Sequence, residues 1–195
     1  MLNENFVILA VVVGSFTSII YLIDTIKGKV QPNKVTFFLW ALAPLIAFTA
    51  QIKQGVGIQS LLTFLVGFEP LLIFFASFLN KKSAWKLGSF DFICGALSLA
   101  GILAWYITQV GNLAIAFSIV ADGLAALPTI VKVYRYPETE NGLLYLGGFI
   151  SALLTLLTIP SWTFAYYGFN LYLVVVTLII FSLIQFKLGK KLSKA

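Results

Sequence analysis

The chain has 195 residues, 60% of them hydrophobic and 10% charged, with a mean hydropathy of +0.99 and a formal charge of +6. A soluble domain carries about 25% charged residues, so this composition excludes an ordinary globular enzyme or binding domain. No histidine and a single cysteine, Cys94, exclude a His/Cys zinc site, His-based acid–base catalysis, a Cys–His nucleophile and an intramolecular disulfide.

The apolar residues come in blocks of about 20, the length that crosses a hydrocarbon core of roughly 30 Å at about 1.5 Å per helical residue. Helices are predicted over 6–26, 34–52, 57–80, 89–109, 113–134, 142–160 and 166–187. That pattern is an all-α, polytopic membrane protein with seven transmembrane helices. The first block follows "MLNENF", which carries no positive charge, and it is too long for the apolar core of a signal peptide. It reads as a permanent helix. Near its end Asp24 precedes Lys27, a spacing that predicts a local i,i+3 pair.

The second block contains Pro44. The third reads "LLTFLVGFEPLLIFFASF", and Glu69 is its only charge between Gly57 and Asn80. A charged residue at the centre of a span costs about 2.5–3.5 kcal/mol on insertion scales, so this carboxylate needs a partner, a wet cavity or a proton. Pro70, next to it, has no N–H and frees the carbonyl of Val66. Irregular backbone beside an ionisable group is what lines a cavity, so Glu69 is expected in a substrate or proton pathway. The alternative is a protonated glutamate hydrogen-bonded to a neighbouring helix.

Gly95, Ser98 and Gly101 in the fourth block predict close packing. The fifth holds a second intramembrane acid, Asp122, with Ser118 and Thr129 on the same helical face. Pro128 and Asn170 interrupt the fifth and seventh blocks. Asn170 is expected at the outer mouth of the last helix or as its cap. Pro44, Pro70 and Pro128 are candidate hinges, or static kinks.

Loops one, three and five and the C-terminal tail carry 12 of the 13 basic residues, and only Lys53 lies on the other side. The positive-inside rule then puts the N-terminus outside and the C-terminus in the cytoplasm, and with no organelle address visible the cell membrane is the expected location. The charge is accounted for by topology, and no nucleic-acid partner is expected. Trp85, Trp162, Tyr166 and Tyr167 flank helices as an interfacial belt would.

The chain also repeats itself. "DTIKGKVQPNKVTFFLWALAPLIAFTAQI" from Asp24 parallels "PTIVKVYRYPETENGLLYLGGFISALLTLLTI" from Pro128 when one inserted residue is allowed. Thr25-Ile26 falls on Thr129-Ile130, Pro32 on Pro137 and Trp40 on Tyr145. Gly14, Ser18 and Thr25 fall on the face matching Ser118, Asp122 and Thr129. Three helices, a linker helix and three helices give both halves one orientation, a parallel repeat about the membrane normal. The units are 1–80, a linker at 81–111, and 112–195 with a basic tail.

This 3+1+3 order with its N-terminus outside resembles the SWEET and PQ-loop superfamily, in topology more than in motif. "LPTI" at Pro128 keeps the family's proline, whereas Asp24 stands in its place in the first repeat, and the Pro-Gln pair is missing. The resemblance implies two three-helix bundles around a central cavity and alternating access driven by proline-hinged helices. In its sugar carriers, asparagines in the third and seventh helices and a mid-helix tryptophan in the second mark the site. Here those places read Glu69, Thr177 and Ala47-Phe48, while Trp40 lies nearer the cytoplasmic end. Acids instead of amides favour proton coupling or an amine-bearing solute.

The expected function is therefore transport of a small polar solute, with Glu69, Asp122, Ser118, Ser18, Thr177 and Asn170 along the pathway. The alternative is a seven-helix receptor or assembly subunit that binds without transport. Glu69 and Asp122 could also form a catalytic carboxylate dyad, but no other catalytic motif accompanies them and no enzyme is expected. The partners are a small solute and the bilayer, homo-oligomerisation is compatible with the pattern, and no metal or other cofactor is called for.

Overall fold

A computed structural model describes residues 2–83, 85–108 and 111–192. The expected turn residues Gln109 and Val110, and Lys194 of the tail, lie outside them. Among the described residues the protein is all-helical: α1 Phe6–Ile26, α2 Lys34–Lys53, α3 Ser60–Ala76, α4 Ser89–Thr108, α5 Gly111–Arg135, α6 Gly142–Leu156, α7 Phe164–Phe186 and the short α8 Leu188–Leu192. Four of these, α1, α2, α5 and α7, are long and apolar enough to cross a membrane, and three shorter apolar helices lie at 60–76, 89–103 and 142–156. Their exposed faces are apolar too: Ile8, Val12, Phe16 and Ile19 on α1, and Phe92, Ile93, Leu97 and Leu103 on α4. Surfaces of that kind and extent belong in lipid, and this is the signature of a membrane protein.

Local chemistry sets the helix ends. At the end of α1 Gly28 takes φ +73°, its N–H reaches Thr25 O at 3.0 Å and Lys29 N–H reaches Asp24 O at 2.9 Å. This is the Schellman arrangement, which satisfies the last carbonyls and needs a residue that tolerates the left-handed region. The turn carries Lys29, not Lys27, back beside Asp24 at 3.4 Å, so the expected i,i+3 pair is replaced by an i,i+5 pair. Gly55, at φ +75°, closes α2 in the same way, with Val56 N–H on Gln51 O at 3.0 Å.

Asparagines open two helices. Asn33 Oδ1 accepts from Val35 and Thr36 N–H at 3.1 and 3.2 Å to cap α2, and Asn141 Oδ1 accepts from Leu143 N–H at 2.9 Å to cap α6. From Thr25 to Asn33 is 8 residues and from Thr129 to Asn141 is 12, so the second loop is four longer, not one. The surplus forms a 3-10 turn, Pro137–Thr139.

Helix packing follows a simple scheme. α1 lies on α3 and α6, α5 lies on α7 and α2, α2 packs against α3, and α6 packs against α7. α4 rests on α5 and α2. Small residues allow the closest approaches: a side chain at Gly147 would collide with Thr17 of α1, and one at Gly67 would come within 2.7 Å of Leu45 on α2. On α4, a Cβ at Gly95 would meet Val35 at 2.8 Å, while Ser98 Oγ donates to Ala121 O of α5 at 2.7 Å. α5 runs unbroken through Pro128. Thr36 Oγ donates to Ala125 O at 2.8 Å and Trp40 Nε1–H to Asp122 O at 3.3 Å, so α2 supplies donors to the α5 backbone just ahead of the proline. Neighbouring side chains commonly re-satisfy backbone around a proline inside a membrane helix.

Candidate functional site

A cavity of about 100 Å³ lies at the centre of the bundle, and both intramembrane acids line it. Such a space is several times what one water molecule requires, about 10–15 Å³ on the same measure. Glu69 reaches it from the middle of α3 and Asp122 from the middle of α5. Gly14, Ser15 and Ser18 of α1, Gly148 and Ser151 of α6 and Thr177 of α7 complete a small-residue wall. Phe37, Trp40 and Tyr145 form an aromatic one. Pro70 lines the cavity as well, as does Val66, whose carbonyl lacks its usual N–H partner because of that proline.

The two carboxylates are held differently. Ser15 Oγ donates to Glu69 Oε1 at 2.7 Å, and Ser18 stands against the same carboxylate. Asp122 is 2% exposed; its Oδ2 accepts from Tyr172 OH at 2.6 Å, and its Oδ1 is buried without a hydrogen-bond partner. A buried, unpartnered carboxylate oxygen is costly unless something meets it, and the Asp122 side chain lines the cavity.

The expected pathway residues separate into two groups. Glu69, Asp122, Ser18 and Thr177 share the cavity. Ser118 lies one turn from Asp122 on α5, buried with its Oγ unpartnered but outside the lining. Asn170 is no cap, because α7 already begins at Phe164; it is fully buried in the second turn, and its Nδ2 donates to Tyr166 O at 2.9 Å. Of the prolines, only Pro70 lines the cavity; Pro44 and Pro128 are buried within continuous helices.

Two site residues escaped the sequence reading. Trp40 seemed too far towards one end, yet it is a wall of the cavity and packs edge-on to Tyr145 with ring centroids 6.3 Å apart. The other is Lys132, which the charge pattern counts among the topogenic basic residues. It forms a salt bridge with Glu140, and the two side chains are 1% and 0% exposed. Lys132 Nζ also donates to Gln31 O at 2.6 Å, and Glu140 Oε2 accepts from Tyr21 OH at 2.5 Å and Tyr145 OH at 3.3 Å. Trp85 covers the ammonium with its ring at 5.2 Å. Tyr145 thus belongs both to this network and to the cavity wall.

Among the described residues no cluster of three His, Cys, Asp or Glu side chains could hold a metal ion. No family model, curated protein or solved structure matches the chain. The class is therefore defined by architecture alone: an all-helical protein with membrane-length helices enclosing a cavity that holds two carboxylates.

Proposed function

We propose that the protein transports a small polar solute by alternating access, as a SWEET-like 3+1+3 assembly with its N-terminus outside. One observation carries the reading: each half contributes one carboxylate to a single central cavity, Glu69 from the first and Asp122 from the second. The packing supports it. Replacing α1, α2 and α3 by α5, α6 and α7 turns every major contact of the first half into one of the second: α1 on α3 becomes α5 on α7, α2 on α3 becomes α6 on α7, and α1 on α6 becomes α5 on α2. Two such halves can rock about a fixed central site, which is how parallel-repeat carriers work.

The Lys132–Glu140 network is then the closed door at the basic end, with Tyr145 joining it to the site. Pro70, on the cavity wall, is the favoured hinge, with Pro44 and Pro128 as secondary flexing points. If Glu69 and Asp122 exchange protons with the solute, their titration belongs to the pair.

Cysteine accessibility tests this without knowing the solute. Cys94 is buried and the chain has no other cysteine, so Cys94→Ser supplies a clean background. Leu65→Cys on the cavity wall should react with a membrane-impermeant maleimide in both right-side-out and inverted vesicles. Reaction from one side only would overturn alternating access and leave a receptor or assembly subunit.

A further inference from the structure

The transport reading leaves the solute's chemistry open, and the donors and acceptors around the cavity narrow it. Hydroxyl and N–H donors on the wall already have acceptors. Ser15 donates to Glu69, Ser151 Oγ to Ala10 O at 2.7 Å, Thr177 Oγ to Leu173 O at 2.6 Å and Trp40 Nε1 to Asp122 O at 3.3 Å. Tyr145 OH is turned to Glu140 at 3.3 Å. No lysine or arginine lines the space. Acceptors, by contrast, are open: Asp122 Oδ1 has no partner, and the Val66 carbonyl has lost its helical donor to Pro70.

A sugar needs many donors and acceptors together, and an amino acid needs a cation or a set of N–H groups for its carboxylate. Neither finds them here. A group that only donates hydrogen bonds and carries positive charge finds two carboxylates and a freed carbonyl. Its hydrocarbon body finds Phe37, Trp40, Leu62, Leu65, Ile73 and Val176. Trp40 offers in addition an aromatic face suited to a cation.

Resting on the transport reading, we infer that the solute is a compact organic amine without a carboxylate, bound as its ammonium between Asp122 and Glu69. Asp122 Oδ1 is the primary contact, Glu69 the second, and the aromatic wall takes the carbon skeleton. The remaining buried oxygens without partners, on Gln51, Thr63, Ser118 and Asn170, all belong to the halves of α2, α3, α5 and α7 nearer Lys53.

The test uses the purified protein and four probes: n-butylamine, its neutral isostere n-butanol, glucose and alanine. n-Butylamine should raise the melting temperature in a saturable way, and the other three should not. In Asp122→Asn the amine affinity should fall by roughly tenfold or more, the scale of one charge-assisted hydrogen bond. Should that variant fail to fold, the contrast between n-butylamine and n-butanol on the unaltered protein decides by itself. Equal responses to both would overturn the charge requirement. Saturable stabilisation by glucose or alanine without n-butylamine would overturn the amine assignment while leaving the transport reading intact. The absence of any amine response would overturn it also, and two-sided labelling of Leu65→Cys would show that only the solute class had failed.

Discussion

Asp122 and Glu140 are both buried carboxylates within the same bundle, yet their surroundings are opposite. Glu140 has an ammonium and two phenols around it, and its partner Lys132 also has the Gln31 carbonyl and the Trp85 ring. Asp122 has one phenol, Tyr172, and a buried oxygen without a hydrogen-bond partner. A carboxylate surrounded by donors holds a structure together and has nothing left to offer a ligand. One left with an open oxygen is a structural liability that makes sense as a binding group. On the transport reading proposed above, the difference separates the part of the molecule that keeps its shape from the part that meets the solute.

Removing one member of the closed network should have the largest effect. Glu140→Ala strands the Lys132 ammonium in the interior, and losing one partner of a buried pair costs about 3–5 kcal/mol. A collapse of the melting transition is expected, with much of it recovered in the apolar double variant Lys132→Met/Glu140→Leu. If Glu140→Ala melts normally, the network is not structural and the contrast breaks. Next comes Gly147→Val, which forces α6 off Thr17 of α1; overpacking of this kind costs about 1–3 kcal/mol, read as a lower melting temperature. Asp122→Asn should be milder still. It keeps an acceptor for Tyr172, so stability should stay within about 1 kcal/mol while amine affinity falls by roughly tenfold or more. A strong loss of stability would instead make Asp122 a second structural acid.

The smallest effect belongs to the exposed pair between Glu138 and Lys190, 2.8 Å apart. Its hydrogen bond to Lys190 holds the Glu138 carboxyl below the usual carboxylate value. A depressed carboxyl contributes stability above its unfolded pKa and loses it as the pH falls through the folded value. Lys190→Ala should therefore trim stability by no more than about 0.5 kcal/mol near neutrality, with the difference vanishing in acid. Melting curves of the two proteins at neutral and acidic pH would show it.

Much of this was legible in the chain because membrane helices announce themselves. The expected 6–26 is α1 to the residue, and the others shift by a few residues, chiefly at the ends of α3 and α6. Glu69 and Asp122 stood out because a charge inside an apolar run is rare and costly. Lys132 did not stand out. A lysine near a helix end looks like any other topogenic charge, and Glu140 lies beyond a loop and a 3-10 turn, where no periodicity links the two. Asp91, at the start of α4, was likewise unremarked, because its partner Asn33 comes from a helix 58 residues earlier. Asp24 was paired with the wrong lysine because the αL turn at Gly28 reverses the chain, and sequence spacing carries no sign of that reversal. Asn170 seemed an interruption because asparagine favours caps, but burial within α7 overrode the preference.

The two asparagine caps have a consequence for how the chain comes together. Asn33, opening α2, hands its amide to Asp91 of α4 at 2.5 Å; Asn141, opening α6, hands its amide to Asp24 of α1 at 2.8 Å. Each cap is thus fastened by an acid from a helix that is neither the one it starts nor that helix's immediate predecessor. The α2 cap waits for a segment made later, and the α6 cap depends on one made at the outset. The first three helices and the last three therefore do not complete their contacts one group after the other. The amino-terminal three helices keep a loose thread until α4 arrives, and α6 is tied to the first helix of all.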